Sequence, residues 1–82
     1  MIYQIEFTIR ADKDLDKIDK TQVKRILLKI DSLQNNLSGN VKRLTNFIPE
    51  YRLRVGDYRI LFGIENNKVI IYRIKHRSEA YD

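Results

Sequence analysis

Regularly spaced arginine side chains are the first indication of chemistry in the C-terminal part of this 82-residue sequence. Arg52 and Arg54 are two residues apart, and Arg59 follows the pair Gly56-Asp57, which is typical of a tight turn. Because side chains two apart on a strand point to the same face of a sheet, we expect Arg52 and Arg54 on one surface. Guanidinium groups bind phosphate bidentately and stabilise negative charge that develops on it during a reaction.

Further basic side chains follow near the C-terminus. Arg73, Lys75 and Arg77 occupy the last predicted strand and its exit, where we expect them to bind substrate. Seven Lys and Arg residues lie between positions 51 and 82, against the acids Asp57, Glu65, Glu79 and Asp82. Since at least three of these acids are at turns or at the terminus, the sequence predicts a cationic groove that suits a polyphosphate. The alternative is that these residues are charged only because alternate strand positions face the solvent.

Two other side chains have the chemistry to transfer protons. His76 is the only histidine, and an imidazole can act as base and acid near neutral pH, although its alternative role here is structural. Tyr81, the penultimate residue, could transfer a proton, stack on a base or pack the tail. Arginine cannot act as a base because its pKa stays above about 12. We therefore interpret Arg52, Arg54 and Arg59 as catalytic residues that stabilise charge on a phosphate.

The composition excludes several other kinds of site. The chain has no cysteine and one histidine, and it shows no paired-carboxylate motif, Gly-rich phosphate loop or Ser-His-Asp arrangement. We therefore expect no metal and no cofactor. An enzyme of this kind needs a substrate that carries its own nucleophile, and RNA fits because its 2′-OH can attack the adjacent phosphate.

Charge and hydropathy indicate where the protein acts. The net charge is +5 and the sequence pI is about 9.6, which favours an acidic partner. No apolar run approaches the roughly 20 residues that a membrane span needs. We therefore expect a cytoplasmic protein that forms one domain over residues 1–82 and does not contact a membrane.

The elements that must position these side chains follow from periodicity. Alternation over residues 2–9 predicts a strand, and residues 11–18 fit two turns of helix. Val23, Ile26, Ile30 and Leu33 recur at helical spacing, which predicts a helix from an Asp19 cap to about residue 35. Strands are predicted over residues 41–44 (short), 51–55, 58–65 and 69–75, with turns at residues 56–57 and 66–67. The expected fold class is α+β, a small antiparallel sheet with two N-terminal helices packed on one face.

Two segments of the sequence resemble the RelE/ParE superfamily of bacterial and archaeal toxins. The run from Tyr51 to Ile60 reads YRLRVGDYRI, and the run from Lys75 to Tyr81 is similar to the HRxEVY signature that ends these toxins. The resemblance covers nearly the whole chain and keeps the order and spacing of both motifs. It implies the toxin of a type II toxin–antitoxin pair. In the RelE branch such toxins cleave mRNA in the ribosomal A site, whereas the ParE branch shares the fold and poisons DNA gyrase.

The resemblance also implies residue roles and a partner. By motif, the site residues fall on Arg52, Arg54, Arg59, Lys75 or Arg77, and Tyr81. One RelE pattern has lysines at the first two positions, so with arginines there the base would be His76, Tyr81 or Lys75. The partner would be an antitoxin whose extended or helical segment wraps the toxin. We favour a ribosome-dependent mRNA endoribonuclease, with a gyrase inhibitor and a non-catalytic nucleic-acid-binding domain as alternatives.

Overall fold

Two helices and five strands make up the part of the chain that a computed structural model describes, residues 2–45 and 48–79. Tyr81, one of the predicted site residues, lies outside these described residues. The elements in chain order are β1 (Gln4–Phe7), α1 (Ile9–Asp16), α2 (Lys20–Ser32), β2 (Val41–Arg43), β3 (Tyr51–Val55), β4 (Tyr58–Glu65) and β5 (Lys68–His76). The α+β class is confirmed. None of the described helices is long and apolar enough to span a membrane.

The sheet is mixed rather than fully antiparallel. Its strand order is β1-β5-β4-β3-β2, and the four C-terminal strands pair in antiparallel order through short connections, as predicted. The expectation of an entirely antiparallel sheet is wrong for β1, which runs parallel to β5. The reason is that β1 and β5 are far apart in sequence, so no turn fixes their relative direction. Instead, their core-facing residues meet, Ile5 beside Val69 and Phe7 beside Ile71.

Both helices lie on one face of this sheet, as predicted. Ile26, Ile30 and Leu33 form the buried stripe of the second helical segment, and they join Leu53 and Ile60 of the sheet in a single core. Burial of each such aliphatic side chain stabilises the fold by roughly 1.5–3 kcal/mol. The opposite face of the sheet is therefore the one on which strand residues can bind a partner.

The helix boundaries show where local chemistry overrides periodicity. Ile9 continues the predicted strand pattern but is the first residue of α1, because the Thr8 side chain caps that helix by accepting a hydrogen bond from the Ala11 N–H. Asp19 caps α2, as expected. The helix ends at Ser32, a few residues earlier than predicted.

The turns that join the last three strands are as predicted. Gly56 has φ +56° at the first hairpin, and Asn66 and Asn67 have φ +51° and +64° at the second. These positive values suit hairpins whose turn twist matches that of the strands. The turns fix the register of β3, β4 and β5, which decides where the basic side chains lie.

Candidate functional site

Three basic residues are directly opposite one another across three neighbouring strands. Arg54 of β3 pairs with Arg59 of β4, which in turn pairs with Lys75 of β5. Directly opposed residues of an antiparallel pair point to the same face, with Cα atoms about 4.5–5.5 Å apart. These three residues, which we call the basic row, therefore cross the face of the sheet opposite the helices. We call that surface the basic face.

The assignment of the basic row to this face is supported by the next residues along each strand. Leu53, Ile60 and Ile74 form the neighbouring cross-strand row and are all buried in the core beneath the helices. Because side chains alternate along a strand, the adjacent row must point away from that core.

Arg52 extends the basic face by one further row. It pairs with Leu61, which pairs with Arg73, two residues along each strand from the basic row. Arg52 is only 5 % exposed, and its Nε atom, like the Nη1 atom of Arg59, is fully buried. Burial holds the Arg52 guanidinium in place and leaves only a small part of its surface open to a ligand.

Arg73 is engaged by a carboxylate at the edge of the sheet. Its Nε donates to Asp14 Oδ2 at 2.8 Å and its Nη2 donates to Asp14 Oδ1 at 3.2 Å, while the Ile74 N–H donates to Oδ2 at 2.9 Å. Burial favours the neutral acid, but these hydrogen bonds and the charge of Arg73 outweigh it and lower the pKa of Asp14. The same contact raises the pKa of Arg73. Arg73 thus joins α1 to β5, and it reaches a substrate only as part of this ion pair.

His76 lies on the other face of the sheet from the basic row. It pairs with Tyr58 beside the buried Val55, and its ring makes an edge-on contact with the Tyr58 ring at 5.4 Å between centroids. Its Nδ1 is 3.0 Å from the hydroxyl of Ser78. The structure therefore does not bring His76 together with Arg52, Arg54 and Arg59, although the sequence grouped them.

Arg77 and Tyr81, the remaining predicted site residues, follow the last strand. Arg77 is exposed, and its Nε is 3.9 Å from Asp57 Oδ1 in the β3–β4 turn. Its backbone N–H donates to the Asp57 carbonyl, which ties the start of the tail to that turn. Tyr81 follows four residues later in the sequence, outside the described residues.

Sequence reasoning missed two residues of this region. Asp14 lies in a charged helical segment, as many solvent-exposed acids do. Nothing in its local pattern indicated that its carboxylate accepts hydrogen bonds from β5. Tyr72 fitted the pattern of a central strand, yet the register between β4 and β5 shifts at Leu61/Phe62 and leaves it without an opposite residue. Within residues 2–45 and 48–79, no three His, Asp or Glu side chains are grouped so that they could hold a metal ion.

Comparison with known proteins assigns the family. Residues 5–81 match the family described as the ParE toxin of a type II toxin–antitoxin system. The chain belongs to this toxin family. The toxin is 36% identical to Toxin RelE3 of Methanocaldococcus jannaschii over 75 residues, which cover 85% of each chain.

Solved structures agree with this assignment. The toxin superposes on a RelB-RelE antitoxin-toxin complex from Methanococcus jannaschii with a TM-score of 0.76 and 32% identity, over 89% of this chain and 91% of that one. It also matches the toxin-antitoxin complex RelBE2 from Mycobacterium tuberculosis with a TM-score of 0.81 and 26% identity, over 94% and 100% of the two chains. The resemblance drawn from the two sequence motifs, including its RelE/ParE superfamily, is thereby confirmed.

Proposed function

We propose that this toxin is a ribosome-dependent endoribonuclease that cleaves mRNA in the ribosomal A site. The observation that carries the proposal is the basic row, which concentrates three cations within about 10 Å on one face of the sheet. Cations that are concentrated in this way attract an anion to this face of the sheet. A phosphodiester fits because bidentate guanidinium contacts match its geometry.

The reaction we propose is an attack of the RNA on itself. The 2′-oxygen forms a bond to the adjacent phosphorus and the bond to the 5′-oxygen breaks, which yields a 2′,3′-cyclic phosphate and a 5′-OH. Arg52, Arg54 and Arg59 bind the phosphate and stabilise the charge that builds up on its oxygens. Tyr81, which corresponds to the C-terminal tyrosine of the family motif, accepts the 2′-OH proton. Lys75 donates a proton to the leaving 5′-oxygen.

The ribosome supplies what this small site lacks. Acid–base help contributes typically about 10²–10⁴ in rate, so most of the acceleration must come from alignment of the 2′-oxygen with the scissile bond. A message fixed in the A site can have that conformation, whereas free RNA rarely adopts it. We therefore expect weak or absent cleavage of free RNA.

Programmed ribosomes test this proposal directly. The toxin is mixed with ribosomes that carry a defined message, and the cleavage sites are mapped by primer extension. We expect codon-positioned cuts with wild-type toxin and none with the Arg59→Ala/Tyr81→Phe variant. Lys68→Ala is the matched control. Lys68 is also a cation of β5, but it lies away from the basic row, and its Nζ is 3.1 Å from Glu6 Oε1. Full cleavage by the double variant would exclude this site.

A ParE-like gyrase inhibitor is the second candidate, and the match to the ParE family model favours it. In that case the basic face would bind the gyrase–DNA complex and no proton transfer would be needed. Purified gyrase and relaxed plasmid discriminate the two proposals: inhibition of supercoiling by the toxin, without mRNA cleavage on ribosomes, would support this second function.

The partner we propose is an antitoxin encoded beside the toxin, acting in the cytoplasm. The two solved relatives described above are complexes of a toxin with its antitoxin. Acidic residues in an extended or helical antitoxin segment would pair with the arginines of the basic face and block RNA. Co-expression of the neighbouring open reading frame should restore growth to cells that make this toxin.

A further inference from the structure

A bulge in the last strand gives Tyr72 an unusual place on the basic face. Leu61 pairs with Arg73 and Phe62 pairs with Ile71, so Tyr72 is the extra residue of β5. Bulges of this kind redirect a side chain and are enriched beside functional sites. Here the bulge lies directly beyond the row of Arg52, Leu61 and Arg73, which is the next row on the basic face after the basic row.

The Tyr72 ring lies across the basic face because a glycine makes room for it. A Cβ atom at Gly63 would be 3.2 Å from Tyr72 Cε2, closer than an ordinary van der Waals contact. Gly63 stands between Phe62 and Ile64, which both face the core, so its missing side chain would point to the basic face. One side of the ring is thus covered by backbone. The residue is still 37% exposed.

The backbone under this ring is held in place. The Thr8 hydroxyl donates to the Tyr72 carbonyl oxygen at 3.1 Å while it also accepts from the Ala11 N–H at 3.1 Å. The Thr8 N–H donates to the Ile71 carbonyl oxygen at 3.0 Å. A backbone that is fixed before a ligand arrives loses little entropy on binding.

The space next to the ring has the chemistry of a base site. A cavity of about 480 Å³ is bounded by Tyr72, Ile48, Pro49, Thr8, Arg10 and Arg73. This volume is within the roughly 300–1,000 Å³ that small-molecule sites occupy. An aromatic ring, apolar walls and two guanidinium groups are the combination on which single-stranded nucleic acids stack their bases. Glu50 Oε1, which is 3.9 Å from the same Gly63 position, repels a phosphate but accepts hydrogen bonds from a base.

We propose that this cavity binds a nucleobase of the RNA next to the scissile phosphate, stacked on Tyr72. The inference rests on the proposed nuclease function, and it adds a base-binding subsite to the phosphate-binding row. Adjacent rows on one face are about 7 Å apart along the strand, so Tyr72 and the basic row are one to two nucleotides apart along an extended RNA.

A binding experiment with a base-free nucleotide tests the stacking contact without the need for cleavage. The affinity of a short RNA oligonucleotide is measured at low salt for wild-type toxin, Tyr72→Ala and Tyr72→Phe. The measurement is then repeated with a series of oligonucleotides, each of which lacks the base at one position. We expect Tyr72→Ala to weaken binding at least fivefold and Tyr72→Phe to stay within twofold of wild type. Removal of the stacked base should weaken wild type by the same factor and leave Tyr72→Ala unchanged.

The control and the opposing results are defined by the same titrations. Leu28→Ala, an exposed apolar change on the helical side, should bind like wild type. The proposal is overturned if wild type does not bind RNA, if every base-free oligonucleotide weakens wild type and Tyr72→Ala equally, or if Tyr72→Ala loses only antitoxin binding. If the titrations show base stacking on Tyr72 but the toxin does not cleave mRNA on ribosomes, the nuclease function is refuted and the base-binding site is retained.

Discussion

Arg54 and Arg59 are directly opposite each other on adjacent antiparallel strands, with their side chains on the same face of the sheet. Like charges directly opposite each other are destabilising in a sheet. We therefore expect these two charges to serve binding rather than folding.

Replacement of the exposed Arg54 should therefore separate stability from activity. We expect Arg54→Gln to keep the free energy of unfolding within about 0.5 kcal/mol of wild type, because the side chain is exposed. The same change should lower cleavage on programmed ribosomes about 100-fold, since a donor to the developing negative charge is lost. Urea unfolding and single-turnover cleavage measure the two effects. A variant that is less stable and fully active contradicts this prediction.

Salt dependence should count the phosphate contacts of the basic row. For single-stranded RNA the slope of log K against log salt is about −0.7 for each phosphate neutralised, so three contacts give about −2. The slope should become shallower by about 0.7 in Lys75→Gln. Lys68→Gln, in the same strand and away from the row, should keep the wild-type slope. Equal slopes in both variants would show that Lys75 does not touch a phosphate.

His76 and Tyr81 should behave differently when they are replaced. Because His76 lies on the helical side of the sheet next to Tyr58, we expect His76→Gln to keep cleavage within about threefold of wild type. Tyr81→Phe should lose about 10²–10⁴-fold, the usual contribution of a general base. Single-turnover rates on ribosomes measure both. A larger loss of cleavage in His76→Gln than in Tyr81→Phe would indicate that His76 is the general base.

The ion pair between Asp14 and Arg73 should make the free energy of unfolding depend on pH in the acidic range. The folded-state pKa of Asp14 is lowered, so its contribution is present above the unfolded value of about 4 and is lost as the pH falls through the lower folded value. Asp14→Asn should lower the free energy of unfolding at pH 7 by about 1–3 kcal/mol. It should also flatten the stability profile below about pH 4. Denaturant titrations from pH 7 to pH 2 check both effects, with the surface acid variant Asp31→Asn as the control.

Gly39 and Gly63 should respond differently to alanine. Gly39 has φ +119°, and a Cβ there would be 3.0 Å from Leu53 Cδ1 in the core, so Gly39→Ala should cost about 1–3 kcal/mol of stability. A Cβ at Gly63 would meet only side-chain atoms, Tyr72 Cε2 at 3.2 Å and Glu50 Oε1 at 3.9 Å, and the partly exposed Tyr72 ring can shift by a few tenths of an ångström. Gly63→Ala should therefore change stability by less than about 0.5 kcal/mol. Thermal unfolding of both variants provides the comparison, and equal losses would contradict it.

Most of the strand and turn positions were readable from the sequence because they depend on local rules. Alternation gave Tyr51–Val55 and Tyr58–Glu65 with the bounds that the structure has. The prediction of one helix-covered face and one basic face also followed, since two short turns fix the register of three consecutive strands.

The errors came from contacts between distant parts of the chain. The parallel pairing of β1 with β5, and the clasp of Asp14 on Arg73, join residues more than 50 positions apart, and no local pattern records them. His76 was grouped with the arginines because of its place in the sequence, but strand alternation puts it on the opposite face from Lys75. The role of Tyr72 depends on a one-residue register shift that periodicity cannot reveal.

The amino-acid sequence by itself determined the class of fold, the family and the identities of the basic residues that would bind a phosphate. Only the tertiary structure decided that Arg54, Arg59 and Lys75 form one row, that Arg73 is held by Asp14, and that the Tyr72 ring lies next to Gly63. Local propensities fix what each segment becomes. The alignment of one segment against another depends on how their apolar faces pack together, and that packing is a property of the whole chain.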